Sequence, residues 1–292
     1  MRARFGTAGE SDSFRARGYR TGAQIPQYLR EFELDAFEYQ CGRGVRLSES
    51  TAAAIRAAAA AQGIVYSLHA PYYISMSSLE EDKRLKSVDY ILQSARAVDM
   101  LGGKRVVIHT GSCGKQSREA ALEKALDTMR LARAAVDEAG LSHIILCPET
   151  MGKVGQLGTL EEVLALCRLD ERILPCIDFG HLNARTQGGL AAKQQMAALL
   201  DRMADVLQDG RASAFHAHFS MIEYTAGGEK RHLTFDTGRS FGPDFEPLME
   251  LLYQRGLCPT IICESAGTQA EDAAAMKRYY CGQFDAGEGK KA

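Results

Sequence analysis

The stretch Arg105-Val106-Val107-Ile108-His109-Thr110-Gly111 (RVVIHTG) begins a unit that the rest of the chain repeats. Its first five residues are rich in β-branched side chains, a pattern that predicts a short buried strand. A helical pattern follows from 117 to 139, and another apolar run begins at 144. Strand, helix and strand in this order are typical of a parallel sheet.

Seven other segments have the character of this strand, and each is followed by a helical pattern. Strands are predicted at 3–7, 36–40, 64–69, 105–109, 144–149, 174–178, 214–219 and 260–264. Helices are predicted at 25–32, 49–62, 80–101, 117–139, 160–167, 190–207, 243–254 and 269–280, with Pro243 in a first turn. These units predict an α/β fold, a single (β/α)8 TIM barrel over residues 1–284. A doubly wound Rossmann fold is the alternative, but no GxGxxG follows the first strand.

Composition places the chain among ordinary folded proteins. Of its 292 residues, 46% are hydrophobic and 25% are charged, near the average for globular domains. The formal net charge of −2 argues against a broad basic surface for non-specific nucleic-acid binding. The eight cysteines form no CxxC pair, which is typical of reduced thiols. With no secretory leader or membrane-spanning segment in the pattern, a cytoplasmic protein is expected, with a disordered tail at 285–292.

Titratable side chains gather where the predicted strands end. Because the carboxyl ends of all eight barrel strands open onto one face, residues at those ends are expected to converge. Six of the seven histidines lie at or just beyond such ends. The exception, His143, precedes the fifth predicted strand and is interpreted as structural. The residues expected at the open face are His69, His109, Glu149, Asp178, His181, His216, His218, His232 and Glu264.

A metal centre is the simplest explanation for this set. Carboxylates and imidazoles close together at the open end of the barrel are desolvated, and groups of like charge repel one another. Divalent cations would neutralise the carboxylate charge. Histidine with Asp and Glu, and no cysteine cluster, indicates Zn²⁺, with Mn²⁺ or Fe²⁺ as alternatives. A catalytic zinc ion takes about three protein ligands, so this set is too large for one ion. Two or three ions are predicted, with Glu149 as a bridging carboxylate.

The ordered motifs resemble endonuclease IV, the apurinic/apyrimidinic (AP) endonuclease of DNA base-excision repair, within the xylose-isomerase-like TIM barrel superfamily. The matching motifs are HAPYYI at 69–74, VVIHTGS at 106–112, CPET at 147–150, CIDFGH at 176–181, FHAHF at 215–219 and CES at 263–265. The resemblance implies a barrel with three Zn²⁺ ions that hydrolyses the phosphodiester on the 5′ side of an abasic site. It implies DNA as the partner and a 3′-hydroxyl as one product.

The same resemblance implies a role for each matching residue. His69 and His109 would hold the first ion, and Glu149 would bridge it to the second. Metal-assisted hydrolysis uses a hydroxide formed at the ions, and Glu149 is predicted to be the catalytic residue that orients it. The other ligands of the second ion would be Asp178, His216 and Glu264.

The resemblance implies His181, Glu229 and His232 as the ligands of a third ion. The family has Asp-x-His in the loop after the seventh strand. This chain has Glu229-Lys230-Arg231-His232, with a longer acid and one more intervening residue.

Recognition of an abasic site calls for apolar wedges and rim arginines. Tyr72 and Tyr73 follow the first ligand motif, and Arg43 lies in the loop after the second strand, so these three are predicted to bind substrate. Further cations in strand-end loops are predicted to add a local basic surface. They are Lys115, Lys153, Arg185, Lys230 and Arg231.

Two other functions remain open from the sequence. Sugar isomerases and epimerases of the xylose-isomerase-like class resemble the same superfamily and hold one Mn²⁺ or Mg²⁺ with a Glu, Asp, His, Glu set that this chain also has. Such an enzyme has no evident need for His69, His109 and His181, and their presence favours the phosphodiesterase. The third hypothesis is a non-catalytic, metal-stabilised binding protein. The sequence indicates no obligate protein partner and no membrane partner.

Overall fold

A closed barrel of eight parallel strands forms the centre of the molecule. The computed structural model describes residues 2–288. The barrel strands are β1 (Arg4–Ala8), β2 (Ala36–Gln40), β3 (Val65–His69), β4 (Arg105–His109), β5 (Ile145–Glu149), β6 (Cys176–Asp178), β7 (His216–Phe219) and β10 (Thr260–Cys263). Each pairs with its neighbour in the sequence, and β10 closes the ring between β7 and β1. The predicted (β/α)8 TIM barrel is therefore confirmed.

Helices connect the strands and pack around the barrel. They are α1 (Asp12–Ala16), α2 (Ile25–Glu31), α3 (Glu49–Gln62), α4 (Glu81–Met100), α5 (Arg118–Glu138), α6 (Leu160–Cys167), α7 (Phe179–Arg185), α8 (Lys193–Leu207), α9 (Glu246–Gln254) and α10 (Gln269–Glu288). The helix predicted to begin at Pro243 begins at Glu246, after that proline. No helix within residues 2–288 is both long and apolar enough to cross a membrane.

The predicted tail lies partly in the last helix. The backbone of 285–288 continues α10, so that part of the predicted tail is helical. Residues 289–292 lie outside the described residues.

Local signals in the sequence explain where individual helices begin and end. The alanine-rich α3 begins after Ser48, whose hydroxyl accepts a hydrogen bond from the Thr51 amide, and ends at Gly63 in the left-handed conformation (φ 67°). At α6, Thr159 and Glu162 form a reciprocal capping box. Such caps satisfy amide groups that a helix terminus leaves without partners.

The interior of the barrel differs from the shell between strands and helices. The shell contains one large apolar core, whereas the interior holds only two small apolar clusters, Val107–Cys147–Leu174–Cys176 and Ala8–Ala36–Ile262. Fully or almost fully buried polar side chains occupy much of the remaining interior. They are Glu38, Ser67, Glu149, Asp178, His216 and His218. A barrel interior this polar indicates that function, beyond packing, selects its residues.

A two-stranded antiparallel hairpin extends the chain after β7 and was not predicted. It consists of β8 (Met221–Thr225) and β9 (Gly228–Leu233). Its turn lies against the loop after β5, where the Val154 amide donates to the Gly227 carbonyl and the Glu229 amide donates to the Gly152 carbonyl. The hairpin therefore reaches over the carboxyl end of the barrel.

Candidate metal centre

Glu149, at the carboxyl end of β5, lies at the centre of the site. Its side chain is buried, and its two oxygens face different groups of imidazoles. Oε2 lies 3.3 Å from His69 Nε2 and 3.4 Å from His109 Nε2. Oε1 lies 2.9 Å from His218 Nδ1 and 3.4 Å from His181 Nδ1. One carboxylate thus lies between two sets of imidazole nitrogens, the arrangement expected of a carboxylate that two metal ions would share.

The Oε1 side of Glu149 is completed by two acids from other strands. His218 Nδ1 lies 3.5 Å from Glu264 Oε1 and 4.0 Å from Asp178 Oδ2. Ligand atoms from Glu149, Asp178, His218 and Glu264 all lie within 4.8 Å of one another, as do those of His69, Glu149 and His218. Four barrel strands therefore bring one imidazole and three carboxylates to a single point.

The structure does not bring His216 to this point, where His218 lies instead; His216 belongs to a separate candidate ligand group with Cys176 and His218. Both imidazoles point into the barrel, because side chains two residues apart lie on the same face of a strand. His216 lies one layer deeper, where its Nε2 is 2.9 Å from Glu38 Oε2. The sequence pattern FHAHF has the right strand and the right face, but it does not distinguish the layers.

A separate group forms where α7 meets the hairpin. His181 lies in the first turn of α7, not in a loop, and its amide donates to Asp178 Oδ1 at 2.7 Å. His181 Nε2 lies 3.4 Å from Glu229 Oε2, and His232 Nε2 lies 3.9 Å from Glu229 Oε1. The hairpin brings Glu229 and His232 to His181 despite the departure from Asp-x-His, and the three form a further set of candidate ligands.

Gly152 makes room for this third group. A Cβ at position 152 would lie 2.6 Å from the Glu229 Cβ and 3.0 Å from His181 Cδ2, closer than carbon atoms approach without displacement.

The Gly152→Ala substitution should therefore lower the free energy of unfolding by about 1–3 kcal/mol, the usual cost of an overpacked methyl group. Urea unfolding measures this change. Gly155→Ala is the matched control, since a Cβ there meets nothing within 4 Å. Equal stability of the two variants would contradict the prediction.

Burial and the shared carboxylates set the protonation of the imidazoles. Burial alone would lower the pKa of His69, but its hydrogen bond to Glu149 and the charge of that acid raise it to about 9. Burial would raise the pKa of Glu149, but the charge of His218 and hydrogen bonds from three imidazoles hold it well below its usual range. Burial lowers the pKa of His109 to about 3. Protons and divalent cations would compete for the same lone pairs on these imidazoles and on Glu149.

The carboxylates of Glu264 and Asp178 have different surroundings within the site. Burial raises the pKa of Glu264, and the attraction of His218 opposes this shift only in part. Asp178 Oδ2 is buried and accepts no regular hydrogen bond in the described part of the chain; His181 Nδ1 lies 3.1 Å from it but is hydrogen-bonded to the Thr150 carbonyl. A buried carboxylate oxygen without a donor is costly unless a cation lies against it. This oxygen without a regular hydrogen bond and the histidine–carboxylate donor set both fit a site for divalent metal ions.

The predicted substrate-binding residues lie on the rim of the barrel. Tyr72 and Tyr73 are 62% and 42% exposed, large fractions for aromatic side chains, and their ring centroids are 5.8 Å apart. Tyr73 also packs edge-on against Tyr90 at 4.8 Å. The Tyr72 amide donates to the Gly42 carbonyl, so the loop that carries the exposed Arg43 contacts the tyrosine loop. The three residues form one continuous part of the rim.

Three of the five additional cations are engaged within the chain. Arg185 donates to four backbone carbonyls between 151 and 156, where it holds the loop after β5. Lys230 and Arg231 both pair with Glu223 across the hairpin. Lys115 and Lys153 are exposed at the rim. The local basic surface is therefore smaller than the sequence suggests.

Glu38 is a member of the site that the sequence analysis did not identify. It lies on β2, fully buried, with Oε1 2.9 Å from His218 Nε2. Ser67 Oγ donates to its Oε2 at 2.8 Å. The sequence signal that could have identified Glu38 is an acid in the middle of an apolar strand, in the run Ala36-Phe37-Glu38-Tyr39.

His143 lies just before β5, where it is exposed and its Nε2 is 2.8 Å from Asp99 Oδ1.

Comparison with known proteins gives the class to which this fold and site belong. The model of the xylose isomerase-like TIM barrel family matches residues 26–279. The chain belongs to that family. It is 31% identical over 279 residues to the uncharacterized protein MJ0133 of Methanocaldococcus jannaschii, covering 94% of this chain and 96% of that one. It is 28% identical over 235 residues to the probable endonuclease 4 of Streptomyces avermitilis, covering 76% and 72% of the two chains.

Solved structures with the same fold include nucleases and sugar enzymes. Endonuclease IV of Thermus thermophilus superposes with a TM-score of 0.68 at 22% identity, covering 97% of this chain and 99% of that one. A D-tagatose 3-epimerase-like protein superposes with a TM-score of 0.72 at 19% identity, covering 99% and 100%. These similarities support the fold and do not distinguish the two activities.

Proposed function

We propose that this protein is a metal-dependent phosphodiester hydrolase that cleaves DNA on the 5′ side of abasic sites and acts in base-excision repair. The observation that carries the proposal is the convergence of His69, His109 and His181 on Glu149. A sugar epimerase with one ion needs only the four residues around Glu149 Oε1. Imidazoles on the Oε2 side, and a further group at the hairpin, are the ligands that additional ions require.

The residues present suit a centre of two or three ions, with Zn²⁺ proposed and Mn²⁺ as the alternative. His69 and His109 would hold one ion with Glu149, and Asp178, His218 and Glu264 a second. The third would lie among His181, Glu229 and His232. Divalent ions there would supply the positive charge and Lewis acidity that phosphodiester hydrolysis requires.

Residues of the protein would orient the attacking water and bind the DNA substrate. Glu149 is proposed as the catalytic residue, because a carboxylate at the centre of the site can accept a hydrogen bond from the attacking water. Tyr72, Tyr73 and Arg43 are proposed to bind the distorted duplex at the rim. All eight cysteines are free, which supports the proposal that the protein acts in the reducing cytoplasm.

One experiment separates the nuclease from the epimerase. Purified protein is analysed for metal content and then incubated with a duplex that contains one synthetic abasic site. We expect two to three metal ions per chain and a nick 5′ to the lesion that leaves a 3′-hydroxyl, with no cut in the undamaged duplex and none after chelation. One ion per chain and no nick in the presence of added zinc would instead favour the sugar epimerase, which a ketohexose epimerisation assay would then test.

A further inference from the structure

The imidazole of His218 has carboxylates on both of its nitrogens. Nδ1 faces Glu149 and Glu264, at 2.9 and 3.5 Å, on the open side of the barrel. Nε2 lies 2.9 Å from Glu38 Oε1 on the inner side, a close charge contact whose angles are not those of a regular hydrogen bond. A neutral imidazole can give a metal ion only one lone pair, because its other nitrogen carries the proton. The partner of the second nitrogen therefore decides which nitrogen is available.

Glu38 is held so that it can act only on the inner nitrogen. Ser67 Oγ and His216 Nε2 lie 2.8 and 2.9 Å from its Oε2, so that oxygen already has two partners. Its other oxygen has no hydrogen-bond partner in the described residues and lies 2.9 Å from His218 Nε2, and all of these side chains are 5% exposed or less. An ionised carboxylate only accepts hydrogen bonds, so Glu38 favours a proton on Nε2 and leaves the lone pair on Nδ1.

We propose that Glu38 is a positioning residue that fixes His218 as an Nδ1 metal ligand. The interior pair His216–Glu38 completes this arrangement: His216 occupies one oxygen and so directs the other toward His218. This also explains why Glu38 and His216 are buried together below the Glu149 cluster. The inference rests on metal binding at the proposed centre and does not require that the substrate be DNA.

The test is zinc affinity, measured with Zn²⁺ alone by competition with a chromophoric chelator, without DNA. Glu38→Gln should bind zinc at the His218 site about 10 to 100 times more weakly than the parent, the usual effect of removing a carboxylate behind a ligating histidine. His216→Gln is the comparison, because it removes the other partner of Glu38 and leaves the carboxylate. It should bind zinc more tightly than Glu38→Gln. Equal weakening in both variants would show that Glu38 is only the structural partner of His216.

A spectroscopic measurement on the parent protein keeps the proposal testable if Glu38→Gln does not fold. In long-range ¹H–¹⁵N correlation spectra of the zinc-loaded, ¹⁵N-histidine-labelled protein, His218 should show a protonated Nε2 and a metal-bound Nδ1. A metal-bound Nε2 would overturn the proposal, as would unchanged zinc affinity in a folded Glu38→Gln variant. Absence of zinc binding by the parent would overturn both this inference and the proposed function, whereas zinc binding without DNA cleavage would overturn only the latter.

Discussion

Replacing Glu149 with glutamine should reduce the metal content from two or three ions per chain to at most one and lower abasic-site nicking roughly 1,000-fold or more. Glutamine keeps the shape of the side chain but loses the charge that both ligand sets share. A metal ion supplies several kcal/mol of transition-state stabilisation, and about 1.4 kcal/mol corresponds to a factor of ten in rate. The remaining ion would be the one at the hairpin, whose ligands are His181, Glu229 and His232. Elemental analysis and a quantitative nicking assay measure the two effects.

Glu162→Gln is the matched control for this experiment. Glu162 is also a buried glutamate, but it accepts hydrogen bonds from the Gly158 and Thr159 amides and pairs with Arg118. Its replacement should lower stability without changing the metal content. If Glu149→Gln kept the full metal content, or if both variants lost it equally, Glu149 would not be the shared ligand.

The second large effect is expected at His109. His109→Ala should lose one metal ion and lower nicking roughly 1,000-fold, because this imidazole is proposed to hold the ion on the Oε2 side of Glu149. His109 is not part of the four-residue set around Glu149 Oε1, so a sugar epimerase with one ion would keep its metal after the same change. The variant therefore separates the two functions by metal count as well as by activity.

His143→Ala is the control for a histidine outside the centre. His143 is exposed and interacts with Asp99 before β5, at the end of the barrel opposite the candidate site. Its removal should leave metal content and nicking unchanged. A parallel loss in the two histidine variants would indicate a general defect in folding, which circular dichroism would reveal.

The strands and most helices were predictable because their signals are local. The predicted strands at 36–40 and 105–109 match β2 and β4, and the helices at 49–62 and 160–167 match α3 and α6. Each of these segments has its own apolar pattern or cap, so no contact from elsewhere is needed to define it. The eightfold repetition then leads to the barrel.

The errors occurred where long-range contacts decide the outcome. Helix α7 begins directly after β6 because Asp178 caps it, and the segment 179–185 lies in none of the helices predicted from the sequence. The hairpin was missed because β9, with the sequence Gly-Glu-Lys-Arg-His-Leu, has no strand pattern of its own. Its pairing with β8 and its contacts with the loop after β5 supply the order.

The choice between His216 and His218 shows a different limit. Alternation along β7 predicts that both side chains enter the barrel, but the depth of each depends on the register with β6 and β10. In the register between β6 and β7, His218 lies opposite Asp178 and His216 lies opposite Cys176. Only His218 therefore lies at the level of the carboxylates. Glu38 was missed for the same reason, since its partners come from β3 and β7.

The group of His181, Glu229 and His232 is held in place differently from the two groups around Glu149. His69, Glu149 and Asp178 lie on strands of the barrel, whereas Glu229 and His232 lie on the hairpin, which packs against α7 and the loop after β5. A change of length in the hairpin would therefore alter the proposed third ion site and leave the barrel residues around Glu149 in place.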